Sequence, residues 1–150
     1  MINFLGKFGF IKKKMSPNDL KDHFFNSFSI DYLEFKEWFL KKSIDGHEAF
    51  YFYDNGKIDG FVRIKHESHL ETGYCTHDLL KLSSFKLGYS CRKFADDILQ
   101  HISNYAKEQG YKAIYVTCKE SHSNVIKKLQ KNGYEIIDEI NEEFILIKRI

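Results

Sequence analysis

The 150 residues are 43% hydrophobic and 16% aromatic, and 23 Lys and Arg face 21 Asp and Glu for a formal charge of +2. This composition suits one folded domain spanning residues 1–150 with a sizeable core, and its balanced charge argues against nucleic acid as the partner. Cys75, Cys91 and Cys118 are odd in number and lack CxxC spacing, which argues against a disulfide framework or a metal centre and fits a reducing cytoplasm. Lysines at 7, 12, 13 and 14 interrupt the N-terminal apolar residues, and no run approaches the ~20 residues of a membrane span, so neither a signal segment nor a membrane partner is expected.

Phe8 to Lys14 reads as a first strand, ended by a polar turn at Met15. Ser16 and Pro17 then supply an N-cap and a first helical residue, and Leu20, Phe24 and Phe28 share one side of the helix they begin. Asp31 is placed to cap a second short helix with Phe35, Trp38 and Phe39 on its apolar side and Lys41 and Lys42 near its C-terminus. Ala49 to Tyr53 and Lys57 to His66 flank Asp54-Asn55-Gly56, which predicts an antiparallel hairpin. Gly60, inside its second strand, marks a bulge, a close approach or a plain packing requirement.

Between Glu67 and Leu80 no period holds, and the segment reads as a loop over a site or a partly formed helix. KLSSFKL, Lys81 to Leu87, is a strand; Phe94, Ala95, Ile98, Leu99, Ile102, Tyr105 and Ala106 then recur at helical spacing until Gly110. KAIYVTC, Lys112 to Cys118, completes a strand, helix, strand unit whose strands are expected to be parallel, with the helix beginning near Arg92 at their carboxyl ends. Ser121 is placed to cap another helix through Asn132, with Val125, Ile126 and Leu129 inward and Gly133 ending it. Tyr134 to Glu139 and Glu143 to Arg149 form a terminal hairpin around Asn141, suited to an acceptor groove or a homodimer interface.

This order resembles the GNAT family, the acetyl-coenzyme A-dependent N-acetyltransferases, and the specific support lies between Leu82 and Tyr134. SCRKFA, Ser90 to Ala95, is similar to the family's Arg/Gln-x-x-Gly-x-Gly/Ala pyrophosphate loop: Phe94 and Ala95 agree, while Ser90 stands for Arg or Gln and Lys93 for glycine. SHSNVIKKLQKNGYEI is similar to the family's Asn-x-x-Ala-x-x-Leu-Tyr-x-x-x-Gly-Phe segment through Val125, Gly133 and Tyr134, with His122 at the Asn position and Leu129 at that of the frequent catalytic tyrosine.

The resemblance implies an α/β (α+β) fold: a GNAT-like mixed central sheet with a splayed parallel strand pair, flanked by helices. It implies acetyl-CoA as the acyl-donor cosubstrate, without a metal, and an amine of a small molecule, peptide or protein as acceptor. A backbone amide of Phe85, Lys86 or Leu87 would polarise the thioester, and Ser90, Cys91, Arg92, Lys93, Phe94, Ala95 and His122 would hold the coenzyme. Asp78, His77 and Glu120 are the candidate general bases, and Tyr74 or Tyr115 could supply the acid missing at Leu129. Cys118 with His122 offers a covalent alternative, and a non-catalytic acyl-CoA-binding or protein-interaction domain is the competing function.

Overall fold

A computed structural model describes residues 2–4, 8–27, 34–67 and 78–150. Its strands are β1 (Ile2–Phe4), β2 (Phe8–Lys14), β3 (Glu48–Asp54), β4 (Lys57–Glu67), β5 (Leu79–Leu87), β6 (Ala113–Lys119), β7 (Glu135–Ile140) and β8 (Glu143–Arg149). The helices are α1 (Phe35–Ile44), the single turn α2 (Tyr89–Arg92), α3 (Ala95–Glu108) and α4 (Ser123–Lys131). The mixed sheet has the order β1-β2-β3-β4-β5-β6-β8-β7, and β5 and β6 are parallel, so the expected α/β architecture is present. The chain forms two compact units, Met1–Ile64 with Ser84–Arg92, and Lys65–Ser83 with Lys93–Ile150.

In the first unit, β2 pairs antiparallel with β3 from Phe8↔Asp54 to Lys14↔Glu48, and β3 turns into β4 through Asn55 and Gly56, both at positive φ. That pair of left-handed residues gives the tight turn that the Asn-Gly sequence predicts. Met15, Phe25, Phe35, Phe39, Ala49, Tyr51, Ile58 and Phe61 form the core, with the Phe25 ring 5.0 Å from Phe39 and 5.2 Å from Phe61. Burying each such ring contributes about 1.5–3 kcal/mol.

The helix expected from Pro17 onward is a pair of short 3-10 helices instead, Pro17–Lys21 and His23–Ser27. Ser16 caps the first as expected, and Asp19 closes a capping box. Asp22 then stops it: its backbone is extended and its carboxylate accepts from the amides of Phe24, at 3.0 Å, and Ile58, at 2.9 Å. A side chain that recruits amides from two segments competes with continued helix. Phe28 and Asp31 lie outside the described residues.

In the second unit, β5 and β6 pair from Leu79↔Ala113 to Leu82↔Val116. Among the described residues that parallel register goes no further, although β5 runs to Leu87 and β6 to Lys119. Strand β5 starts at Leu79 rather than Lys81, because Leu79 and Leu80 are almost wholly buried. The rest of the expected 67–80 loop lies outside the described residues apart from Glu67, in β4, and Asp78. Helix α3 buries Ala95, Ile98, Leu99, Ile102 and Ala106, as the stripe predicts, while Phe94 and Tyr105 are half-buried. It begins at Ala95, not Arg92, since Lys93 and Phe94 form a turn after α2. Helix α4 buries Ile126 and Leu129 and starts after His122 rather than Ser121. The terminal hairpin turns at Asn141 and Glu142, and Tyr134 is buried just before β7 rather than within it.

Candidate functional site

The residues after β5 meet a bulge in β4. Phe52 pairs with Gly60 but the adjacent Tyr53 pairs with Ile58, leaving Asp59 as the extra residue. A bulge re-aims the groups of its extra residue away from the ladder. Here the Asp59 carbonyl accepts from the Gly88 amide at 2.6 Å, and its carboxylate accepts from the Cys91 amide at 2.8 Å. The Ser90 hydroxyl donates to the Asp54 carboxylate at 2.8 Å. Two glycines make the fit possible: a Cβ on Gly88 would overlap the Asp59 carboxylate, and one on Gly60 would lie 2.7 Å from the Cys91 sulfur. Burial raises the Asp59 carboxyl above its ordinary range, against the pull of the Cys91 and Ser90 amides.

The first turn after β5 is therefore closed by the protein itself. The Cys91 amide, expected to face a pyrophosphate, donates to Asp59. The Arg92 amide donates to the Gly88 carbonyl at 3.1 Å, and its exposed guanidinium bonds the Leu87 carbonyl at 3.2 Å. The Cys91 side chain is fully buried, where loss of hydration pushes its thiol up, so it serves packing. Phe85, Lys86 and Leu87 are half-buried along β5.

In the second unit, exposed Lys93 holds its ammonium 5.7 Å from the Phe94 ring; Phe94 is the N-cap residue of α3, and Ala95 is buried. His122 is half-buried at the N-cap position of α4. Asp78 has a left-handed backbone, φ 59°, which an aspartate tolerates better than most residues, and its carbonyl accepts from the Lys112 amide at 2.9 Å. Its carboxylate lies 3.5 Å from His66 Nε2, and the His66 ring meets Tyr111 edge-on at 5.6 Å. Glu120 follows β6; its amide donates to the Glu142 carbonyl at 3.1 Å, and its carboxyl is raised by a hydrogen bond with Glu139 and by that group's charge.

These two candidate bases are not brought together. Asp78 precedes the β5–β6 ladder and Glu120 follows the far end of β6, whose seven residues span about 20 Å at the usual strand rise. His77 and Tyr74 lie outside the described residues. Tyr115 packs with Leu79, Ala113, Ile145 and Ile147 and is 3% exposed, which removes it as a proton donor to bound substrate. Burial, and then the charge of Glu143, pushes the Cys118 thiol up to about 11, so the reactive thiolate that covalent chemistry needs is scarce at neutral pH. Leu129 is fully buried.

The residues that sequence reasoning missed are Asp54, Asp59, His66 and Glu139. Gly60 and Gly88 carried a signal for the first pair, since each stands beside a segment that approaches too closely for a side chain. Among the described residues no His, Cys, Asp or Glu side chains converge as metal ligands, and no helix is long and apolar enough to cross a membrane.

No family model and no curated protein sequence matches the chain. Solved structures do. The PaiA N-acetyltransferase of Thermoplasma acidophilum, in complex with coenzyme A, is 16% identical and aligns over 95% of this chain and 99% of its own with a TM-score of 0.65. An acetyltransferase of the GNAT family from Streptococcus pneumoniae is 19% identical over 95% of this chain and 99% of its own, at 0.63. Naa50 of Arabidopsis thaliana, in complex with a bisubstrate analogue of coenzyme A and a peptide, is 19% identical over 68% of this chain and 72% of its own, at 0.54. With its strand order, its parallel β5–β6 pair and these alignments, the chain has the fold of the GNAT N-acetyltransferases.

Proposed function

We propose that this chain is one acetyltransferase domain that moves the acetyl group of acetyl-CoA to an amine of a small molecule, a peptide or a protein. The observation that carries the reading is the alignment over 95% of the chain with an N-acetyltransferase that holds coenzyme A. In this reading a Phe85 to Leu87 amide polarises the thioester carbonyl, and the segment through Arg92, Lys93, Phe94 and Ala95, with His122, holds the coenzyme. The neutral amine attacks the carbonyl carbon, the base takes the proton that the nitrogen gives up, and the tetrahedral intermediate collapses with cleavage of the carbon–sulfur bond, so that coenzyme A leaves as the thiolate and is protonated by the conjugate acid of the base or by water. The base is Glu120, Asp78 or His77. Glu120 is favoured by the Glu139 carboxylate beside it, which raises its proton affinity toward that of a useful general base. Cys118 takes no covalent part, given its suppressed ionisation.

The test is a thiol-release screen of acetyl-CoA over amines and peptide N-termini, followed by folded Glu120→Gln, Asp78→Asn and His77→Gln variants. With Glu120 as the base, Glu120→Gln lowers kcat/KM about 10²-fold or more. Glu139→Gln removes the partner that raises the Glu120 pKa, so the acid limb of the pH profile moves to lower pH. Full activity in all three base variants would remove these assignments.

The second reading is a non-catalytic coenzyme-binding domain. Two observations favour it: Leu129, where the resemblance places the usual proton donor, is buried hydrocarbon, and Asp59 holds the Cys91 amide assigned to the pyrophosphate. Coenzyme binding without turnover across the screen would establish it.

A further inference from the structure

We infer that Asp59 is a built-in competitor of the coenzyme, its carboxylate standing on the Cys91 amide where a phosphate oxygen would otherwise accept. This rests on the coenzyme-binding reading above. Three independent irregularities of sequence converge on the contact. The bulge turns both the carbonyl and the carboxylate of Asp59 toward the turn after β5; Gly88 clears room for that carboxylate; and Gly60 clears room for the Cys91 sulfur behind it. Asp54 holds the same turn through the Ser90 hydroxyl at 2.8 Å.

A carboxylate and a phosphate oxygen ask the same thing of a backbone amide, and each amide has one proton to give. Occupancy is therefore exclusive. The coenzyme gains this donor only in the fraction of molecules whose Asp59 has swung away, and its apparent Kd is its intrinsic Kd divided by that fraction. The negative charges of Asp54 and Asp59 oppose a pyrophosphate as well, while the Arg92 charge, which also acts on Asp59, works the other way. A substitution that removes the carboxylate should tighten binding, whereas simple damage to the turn weakens it.

The experiment is calorimetry of coenzyme A with wild-type protein and with Asp59→Ala, Asp59→Ser and Asp59→Asn, alongside hydrogen exchange at the Cys91 amide. Asp59→Ala is expected to bind about tenfold tighter or more, with that amide exchanging faster in the free protein and protected again by coenzyme. Asp59→Ser, too short to reach the amide, repeats the gain if the alanine variant fails to fold. Asp59→Asn keeps an acceptor and loses the charge, so it falls between wild type and Asp59→Ala. Equal or weaker binding in the folded Ala and Ser variants, with coenzyme binding intact in wild type, overturns the competitor and spares the coenzyme reading. Absence of binding in every folded variant, wild type included, overturns both.

Discussion

Gly60 has no side chain because two atoms already occupy the space. A Cβ there would stand 2.7 Å from the Cys91 sulfur and 3.0 Å from the Phe52 Cβ. Gly60→Ala is expected to destabilise the protein by about 1–3 kcal/mol in urea unfolding, the usual cost of overpacking. In a Cys91→Ala background the sulfur is gone, and the cost should shrink by about 0.5–3 kcal/mol, the coupling of residues in contact. Additive effects would show that the sulfur does not set the glycine requirement. Cys118 makes a separate prediction: because its thiol is pushed up to about 11, alkylation should be slow at neutral pH and accelerate about tenfold per pH unit toward that value, while Cys118→Ala keeps its acetyl transfer. Rapid alkylation at pH 7 together with loss of transfer would reinstate covalent chemistry.

At the scale of elements, the start of α3 is tied to the end of α4 by one carboxylate. Asp96 accepts from the Asn132 side chain at 2.9 Å and lies 3.6 Å from the Lys128 and 3.5 Å from the Lys131 ammonium groups. The Asn132 hydrogen bond and then the lysine charges hold its carboxyl below its ordinary range. A depressed carboxyl stabilises the fold fully above its unfolded-state pKa and loses that contribution as pH falls through its folded-state value. Asp96→Asn should thus lower the melting temperature slightly at pH 7, because the site is exposed, and the difference from wild type should close on acidification. A difference that persists unchanged at pH 2 would assign the effect to packing.

The same scale shows what was legible in the sequence. The α3 stripe and the Asn-Gly hairpin were readable because their signals are local: helical spacing in one, a pair of left-handed residues in the other. The break after Lys21 was not, because Asp22 bonds Ile58, far along the chain. Leu79 and Leu80 close a segment that the sequence leaves as loop or partly formed helix, because the polar residues before them hide the strand's start, which pairing with Ala113 and Ile114 fixes. In the candidate site the residue types of Ser90 to Ala95 could be compared with a known loop, but the occupant of its amides comes from a bulge in another strand. Tertiary contacts of that kind leave only a glycine as their trace.

At the scale of the molecule, the fold is that of a coenzyme A-bound N-acetyltransferase, and the proposed function gives it acetyl-coenzyme A as cosubstrate. In that proposed function, the chain's departures at Ser90, Lys93 and Leu129 would change how tightly the coenzyme is held and how the leaving thiol gains its proton, while the parallel β5–β6 pair is kept. Lys93→Glu separates these effects: reversing a charge at the loop should weaken coenzyme binding most at low salt, where screening is least. The most direct measurement is titration of the folded wild-type protein with acetyl-CoA in a calorimeter. The account predicts saturable binding with one site per chain, competed by coenzyme A; a folded protein that takes up neither acetyl-CoA nor coenzyme A at millimolar concentration would contradict it.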